Sequence, residues 1–152
     1  MSKKLRLCLA TFLAIASIVG PAQDRIESQS PSVPLTTVAK GTISDTDGPQ
    51  RVVVRTAEEW KKLWTSLSTE TPAPTIDFER TVVVGVFLGA RPTAGFEVAI
   101  TAVKTEGGRT IVEYRERRPD PADLVAEVLT SPFHLVSIPR DLGPIEFRQM
   151  AK

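Results

Sequence analysis

A chain of 152 residues with 41% apolar and 24% charged side chains has the length of a single domain and can bury a core of its own. Its 19 basic and 18 acidic side chains nearly balance, which argues against binding to nucleic acid or to an anionic membrane surface. One histidine and one cysteine are too few for a zinc site made from the usual ligands.

The first 22 residues have the pattern of a secretory signal peptide. Three basic residues precede the apolar run from Leu7 to Val19, and residues 20–22 supply small side chains for cleavage. About thirteen apolar residues are too few to span a bilayer, so we expect cleavage near Ala22 and no membrane span afterwards. The mature protein would then be exported to the periplasm or out of the cell. Cys8 would leave with the signal peptide, so no disulfide could stabilise the mature chain.

Residues 23–34, "QDRIESQSPSVP", are polar and interrupted by proline, which predicts a flexible leader. We therefore expect a single domain over residues 35–152. The stretches "LTTVAKGTIS" and "QRVVVRT" are typical of short strands, and "DTDGP" between them is typical of a turn.

The clearest helix of the sequence is predicted over about residues 57–67. Thr56 can cap its free amides, and Glu59 can reach back from three residues later, which makes a capping box. One face of this helix collects the apolar side chains Ala57, Trp60, Leu63, Trp64 and Leu67. We expect the two tryptophans to pack on a sheet rather than to line a sugar- or peptide-binding face.

Strand patterns dominate from Phe78 onward, in "TVVVGVFLG", "GFEVAITAVKT", "RTIVEYRER", "SPFHLVSIP" and "PIEFRQM". The segment from Val82 to Leu88 is apolar on both faces, so it is predicted to be a central strand covered on both sides. The expected fold class is α+β: a mostly antiparallel, twisted sheet of about six strands. It would form a sandwich or half-barrel, with the helix packed on it.

Residues 123–130, within "PADLVAEVLT", are open to two interpretations. Asp120 and Asp123 could cap a short helix that begins at Pro121, while the apolar residues that follow fit a strand equally well. The sequence does not choose between the two.

His134 is the single histidine, and it is the base that a small hydrolase would need. Ser131 and Ser137 are close in sequence, but no Gly-x-Ser-x-Gly elbow or other nucleophile setting is present. We therefore predict no catalytic residue, no metal site and no cofactor. A hydrolase that uses His134 is kept as the least favoured alternative.

Two proline-containing loops are the candidate contact sites for a protein partner. Prolines hold a loop rigid, so that less entropy is lost on binding, and two phenylalanines could supply apolar contact area. The alternative is that these are wide turns whose aromatic rings belong to the core. The predicted protein-binding residues are Arg91, Pro92, Thr93, Gly95, Phe96, Pro132, Phe133 and His134.

These loops also carry a family resemblance. The motif Gly-x-x-Pro-Thr-x-Gly-Phe over residues 89–96, followed by Thr-Ser-Pro-Phe over residues 130–133, resembles the C-terminal domain of the PrcB family. The similarity extends over roughly Gln50 to Phe147. It implies an exported, non-catalytic domain that associates with or stabilises a secreted or surface protease, or another envelope protein. It identifies neither the partner nor the oligomeric state.

A second resemblance concerns residues 91–96 alone, which are similar to the Asn-Pro-Thr-Thr-Gly-Tyr loop of chagasin-like inhibitors of cysteine peptidases. It implies an inhibitor that uses the 91–96 and 131–134 loops. In such inhibitors three loops enter the protease cleft together. Here Arg91 replaces the asparagine, and the Gly107-Gly108 pair follows the first loop by one strand, which predicts the opposite end of the sheet.

Overall fold

A computed structural model describes residues 30–67 and 70–151. The predicted signal peptide and residues 23–29 of the predicted leader lie outside the described residues. In the described part the chain forms seven strands and one helix. In chain order these are β1 (Thr36–Gly41), β2 (Gln50–Val54), α1 (Ala57–Thr65), β3 (Thr81–Phe87), β4 (Glu97–Glu106), β5 (Arg109–Arg117), β6 (Phe133–Pro139) and β7 (Ile145–Gln149).

The strands form two sheets. The larger sheet has the order β1-β6-β3-β2 and is antiparallel throughout, while the smaller sheet has the order β4-β5-β7 with β5 and β7 parallel. The predicted α+β class is confirmed, as a sandwich that does not close into a barrel. The sandwich has seven strands in two sheets, close to the predicted number of about six.

The central position predicted for Val82 to Leu88 is confirmed. β3 lies between β6 and β2, and its residues are buried on both faces. Because side chains alternate along a strand, Val82, Val84 and Val86 face the smaller sheet while Val83 and Phe87 face the helix. The molecule therefore has three layers: helix α1, the larger sheet and the smaller sheet.

Each side of the larger sheet carries its own core. The inner core, between the two sheets, consists of Val82, Val84, Val86, Leu88, Val98, Ile100, Val103, Val112, Tyr114, Val136 and Ile138. The helix-side core consists of Val54, Trp60, Leu67, Val83, Phe87, Phe133 and Leu135. Burial of these two apolar sets is the main source of stability, because the free energy gained scales with the apolar area removed from water.

Helix α1 begins as the sequence predicts. Thr56 is extended and its side chain accepts a hydrogen bond from the amide of Glu59 at 3.2 Å. The carboxylate of Glu59 accepts from the amide of Arg55 at 2.8 Å, one residue before the partner that a standard capping box uses. The helix ends at Thr65, two residues earlier than predicted. Trp60 is buried against the sheet as expected, and Trp64 is partly buried.

The packed fold begins before the predicted domain start at Leu35. The amide of Val33 donates to the carbonyl of Val103 at 2.7 Å, and the amide of Thr105 donates to the carbonyl of Pro31 at 3.1 Å. Residues 31–33 thus lie along β4, and β1 then pairs with β6 in the other sheet. One segment of chain therefore joins the two sheets along one side of the sandwich.

The segment over residues 123–130 is neither the helix nor the strand that the sequence allowed. It contains a turn stabilised by Asp120 and Asp123, followed by irregular extended chain that ends in a single bridge at Thr130. Most of its side chains point to solvent, so the segment lacks the packing contacts that would stabilise a helix or a strand.

Within residues 30–67 and 70–151, no helix has the length and apolar character needed to cross a membrane.

Candidate functional site

The connection from β3 to β4, residues 88–96, is fixed by two glycines with left-handed backbone. Gly89 has φ 71° and Gly95 has φ 89°, a region that other residues enter only with strain. A Cβ at Gly89 would also lie 2.6 Å from the carbonyl carbon of Gly48. The connection therefore packs backbone to backbone against the turn before β2, and glycine is required for that approach.

The two predicted loops lie side by side. Arg91 and Thr130 form an antiparallel bridge, with amide-to-carbonyl distances of 2.7 Å and 2.9 Å in the two directions. The hydroxyl of Thr130 donates to the carbonyl of Thr93 at 3.0 Å, and the amide of Ala94 donates to the carbonyl of Ala126 at 3.0 Å. Residues 88–96 and 124–132 therefore act as one structural unit, which we call the paired loops.

Arg91 and Phe96 face the molecule rather than the solvent. The guanidinium carbon of Arg91 lies 5.7 Å from the centre of the Phe96 ring, and one guanidinium nitrogen is 3.5 Å from a carboxylate oxygen of Glu116. The Phe96 ring is partly buried against the inner core. The arginine thus holds the loop to β5 and covers the ring that the sequence offered as a contact for a partner.

Pro132 and Phe133 are buried. Phe133 is 6% exposed, and its ring stacks on that of Phe87 with 5.7 Å between centres, inside the helix-side core. The carbonyl of Pro132 accepts from the amide of Leu88 at 2.9 Å. The ring of Phe133 therefore belongs to the core, which is the alternative to a contact with a partner. Among the eight predicted protein-binding residues, only Pro92 is exposed.

His134 lies between the sheets, 5% exposed. Its Nδ1 accepts from the amide of Ile100 on β4 at 2.8 Å, so in the neutral ring the proton is on Nε2, which donates to the Thr37 hydroxyl at 3.1 Å. A ring nitrogen that carries a proton cannot take one from that hydroxyl, so this pair lacks the general base of a hydrolase. Burial, and then the charge of Lys40, lower the pKa of His134.

No metal site is found within the described ranges, where no group of three or more His, Cys, Asp or Glu side chains could hold an ion.

The Gly107-Gly108 turn joins β4 to β5, at the end of β4 that is remote from Phe96. A ten-residue strand separates this turn from the paired loops, a span of roughly 33 Å at the usual rise per residue.

The exposed large apolar side chains of the described residues lie within the second of the paired loops, residues 124–132, and at Ile43 in the loop after β1. They are Ile43 at 64% exposure, Leu124 at 106%, Val128 at 50% and Leu129 at 72%. We call these four residues the exposed apolar surface. Sequence reasoning missed them as contact residues. The available sign was "LVAEVL", an apolar stretch that fits a helix and a strand equally well and therefore shows no single face that must be buried.

Three buried hydroxyl groups fix the loop that carries Ile43. The Ser44 hydroxyl oxygen lies 2.7 Å from that of Thr46 and 2.8 Å from that of Ser131, and the latter two are 3.3 Å apart. We call this set the hydroxyl triangle. The amide of Ser131 also donates to the carbonyl of Thr42 at 2.8 Å. Ile43 is thereby held beside Leu129 on a rigid base.

Comparison with known proteins supports the resemblance. Residues 82–139 match the model of the family described as PrcB C-terminal, which confirms the predicted similarity over a shorter range than Gln50 to Phe147. The match runs from β3 through β6 and includes the paired loops, whereas α1 lies outside it. No curated protein and no solved structure matched the chain.

Proposed function

We propose that this protein is an exported, non-catalytic subunit that binds a secreted or surface protease, or another envelope protein, and stabilises it. The observation that carries the proposal is the exposed apolar surface. Apolar area left in water gains about 25 cal/mol per Å² when a partner covers it, and clustered exposure of this kind is typical of a contact site.

The family match supports a role in protein association. Leu124, Val128 and Leu129 all lie within residues 82–139, and the family is named for a protease complex subunit. The export part of the proposal rests on the sequence of residues 1–22, with its basic start, apolar run and small residues before the cleavage site.

The rigidity of the paired loops favours binding. Because the bridge at Arg91 and Thr130, the Ala94–Ala126 hydrogen bond and the hydroxyl triangle already fix the backbone, little conformational entropy remains to be lost. A flexible loop with the same side chains would bind more weakly.

The test is site-specific crosslinking in the exporting cell. A photoreactive residue at position 128 should capture a distinct partner that mass spectrometry identifies, and the same residue at position 61 should not, because Lys61 is exposed on α1 and belongs to neither of the paired loops. The variant Val128→Ser/Leu129→Ser should reduce capture at Leu124 at least about tenfold, since two apolar contacts are lost. Both residues are exposed, so unchanged urea unfolding would show that the variant is folded.

Capture that is equal at positions 61 and 128, or unchanged in the double variant, would refute the proposal. Where the captured partner is a peptidase, its activity and half-life define the role of this subunit. A longer half-life with retained turnover is expected of a stabilising subunit. Loss of turnover on binding would instead assign the inhibitor role.

A further inference from the structure

A cavity of about 340 Å³ opens beside the exposed apolar surface, between the loop over residues 43–47 and residues 129–131. Its lining residues fall into three chemical groups. They are the apolar Ile43, Ala90 and Leu129, the hydroxyl-bearing Ser44, Thr46, Thr130 and Ser131, and the acidic Asp45 and Asp47. The cavity therefore combines apolar walls with an acidic side and a hydroxyl-lined floor.

The two charged side chains that line the cavity, Asp45 and Asp47, are both acidic. The neighbouring cation is Arg91, next to Ala90, and its guanidinium is paired with Glu116 at 3.5 Å. An anionic group would be repelled here, while a cation would be attracted.

The hydroxyl triangle presents acceptors rather than donors. Ser44 has the carbonyl of Ser131 at 3.1 Å and the hydroxyls of Thr46 and Ser131 as acceptors, and Ser131 also has the carbonyl of Thr46 at 3.3 Å. The Thr46 hydroxyl has the oxygens of Ser44 and Ser131 within reach. The three protons are thus used internally, and oxygen lone pairs remain for the N–H groups of a ligand.

We propose that this cavity receives a lysine or arginine side chain of the protein partner. Such a side chain has an apolar stem and a cationic end, which fit the apolar walls and the acidic side respectively. The volume lies at the lower end of the range for ligand cavities, so it suits one long side chain rather than a larger molecule. This inference rests on the proposed function and adds the chemistry of the partner: an apolar patch that carries a basic residue.

The first test uses nuclear magnetic resonance of the ¹⁵N-labelled protein with three blocked tripeptides, Gly-X-Gly, where X is arginine, its neutral analogue citrulline, or norleucine. The arginine peptide should shift the amide signals of residues 43–47, 90 and 129–131. Citrulline should bind about threefold to tenfold more weakly, because the ion pair is lost. Asp47→Asn should weaken arginine binding by a similar factor.

Glu127→Gln is the matched control. It removes one negative charge from the same end of the molecule, but Glu127 is exposed and does not line the cavity. Its effect on arginine binding should be less than about twofold, because an exposed charge that does not contact the ligand acts on it only weakly through water. Equal binding of the three peptides, equal loss in both variants, or no shift at the cavity residues would each overturn the proposal.

A second experiment separates this inference from the proposed function. Partner crosslinking at position 128 is repeated with Asp47→Asn. A clear loss of capture supports the cavity as the site of a basic side chain. If Asp47→Asn captures the partner fully while Val128→Ser/Leu129→Ser does not, the proposed function stands and the cavity inference falls. Full capture by both variants would reject both.

Discussion

The single histidine should make the folded protein less stable in mild acid. Burial and the nearby Lys40 lower the pKa of His134 in the folded state, while in the unfolded chain it is about 6.5. Between these two values the unfolded state binds more protons, so stability is fully present above about pH 6.5 and falls as the pH drops below it. The slope that one group can give is at most about 1.4 kcal/mol per pH unit.

His134→Asn is the perturbation that tests this reasoning. The side-chain oxygen of asparagine takes about the place of Nδ1, so the amide of Ile100 keeps an acceptor while the titrating group is gone. The variant should lose the pH dependence between about pH 5 and 6.5. Thr37→Val is the matched control: it removes the partner of Nε2 but leaves the histidine, so the slope should remain.

Glu59 and Glu106 do not interfere in this window, because the pKa of each carboxylate is lowered. An amide hydrogen bond from Arg55 lowers the pKa of Glu59, and hydrogen bonds from Arg148 lower that of Glu106. Groups with a lowered acid pKa stabilise the fold above their unfolded value of 4.5 and lose that contribution only as the pH falls below it.

The assay is urea unfolding followed by the fluorescence of Trp60 and Trp64, from about pH 7.5 to 5, with the free energy of unfolding obtained by linear extrapolation. The difference in slope between the wild type and His134→Asn is the measured quantity. If the two curves run parallel between about pH 5 and 6.5, the buried neutral histidine is not the cause of acid sensitivity, and the reasoning fails.

Three further predictions are checked by the same unfolding assay at neutral pH. A Cβ at Gly85 would lie 2.2 Å from a side-chain carbon of Leu135, so Gly85→Ala should destabilise the protein by about 1 to 3 kcal/mol; an unchanged midpoint would contradict this close packing. Thr56→Ala removes the cap that accepts from Glu59 and should cost about 1 kcal/mol, whereas Thr56→Ser should cost little. The hydroxyl of Thr110 is buried with no hydrogen-bond partner, so Thr110→Val should raise stability by about 1 kcal/mol, and a loss would show that the hydroxyl has an unrecognised partner.

Local structure could be predicted where one segment contains all the information. β3 is predicted to be a central strand because the side chains on both of its faces are apolar. α1 is predicted because the N-cap, the helical spacing of the apolar residues and the proline-containing segment that ends the helix all lie close together in the sequence. The predicted end of α1 lies two residues too late. Leu67 fits the helical spacing of apolar residues and is buried, but it belongs to the turn that follows the helix.

Pairing between distant strands could not be predicted. The parallel contact of β7 with β5 and the split into two sheets depend on which distant segments meet. The apolar pattern of one strand shows which face is buried, but it does not show which strand lies beside it. The bulge in β4 between Ile100 and Ala102 has the same origin. It places Ile100 and Val103 on one face, although their separation of three residues breaks the alternation that sequence reasoning uses.

The two loops that the sequence predicts as contact sites are adjacent in the fold. The sequence singled out residues 91–96 and 131–134, and the structure brings them together through Arg91 and Thr130. The sequence leaves two places open for Phe96 and Phe133, a contact surface or the core, because proline and glycine fix the shape of a loop without fixing where its aromatic side chain points. Both rings pack against a core in the structure. The exposed apolar residues lie instead in 124–129, which fits a helix and a strand equally well, and at Ile43, at the end of the predicted strand "LTTVAKGTIS".

The hydroxyl triangle also determines when the contact surface can form during folding. Ser44 and Ser131 are 87 residues apart in the chain, so their hydrogen bonds form only after β6 has docked beside β1. A nascent or partly folded chain therefore lacks the walls and floor of the cavity, even though every apolar residue of the surface is already present. A partner that recognises this surface would then bind only the fully folded protein, and an incompletely folded chain would not enter the complex.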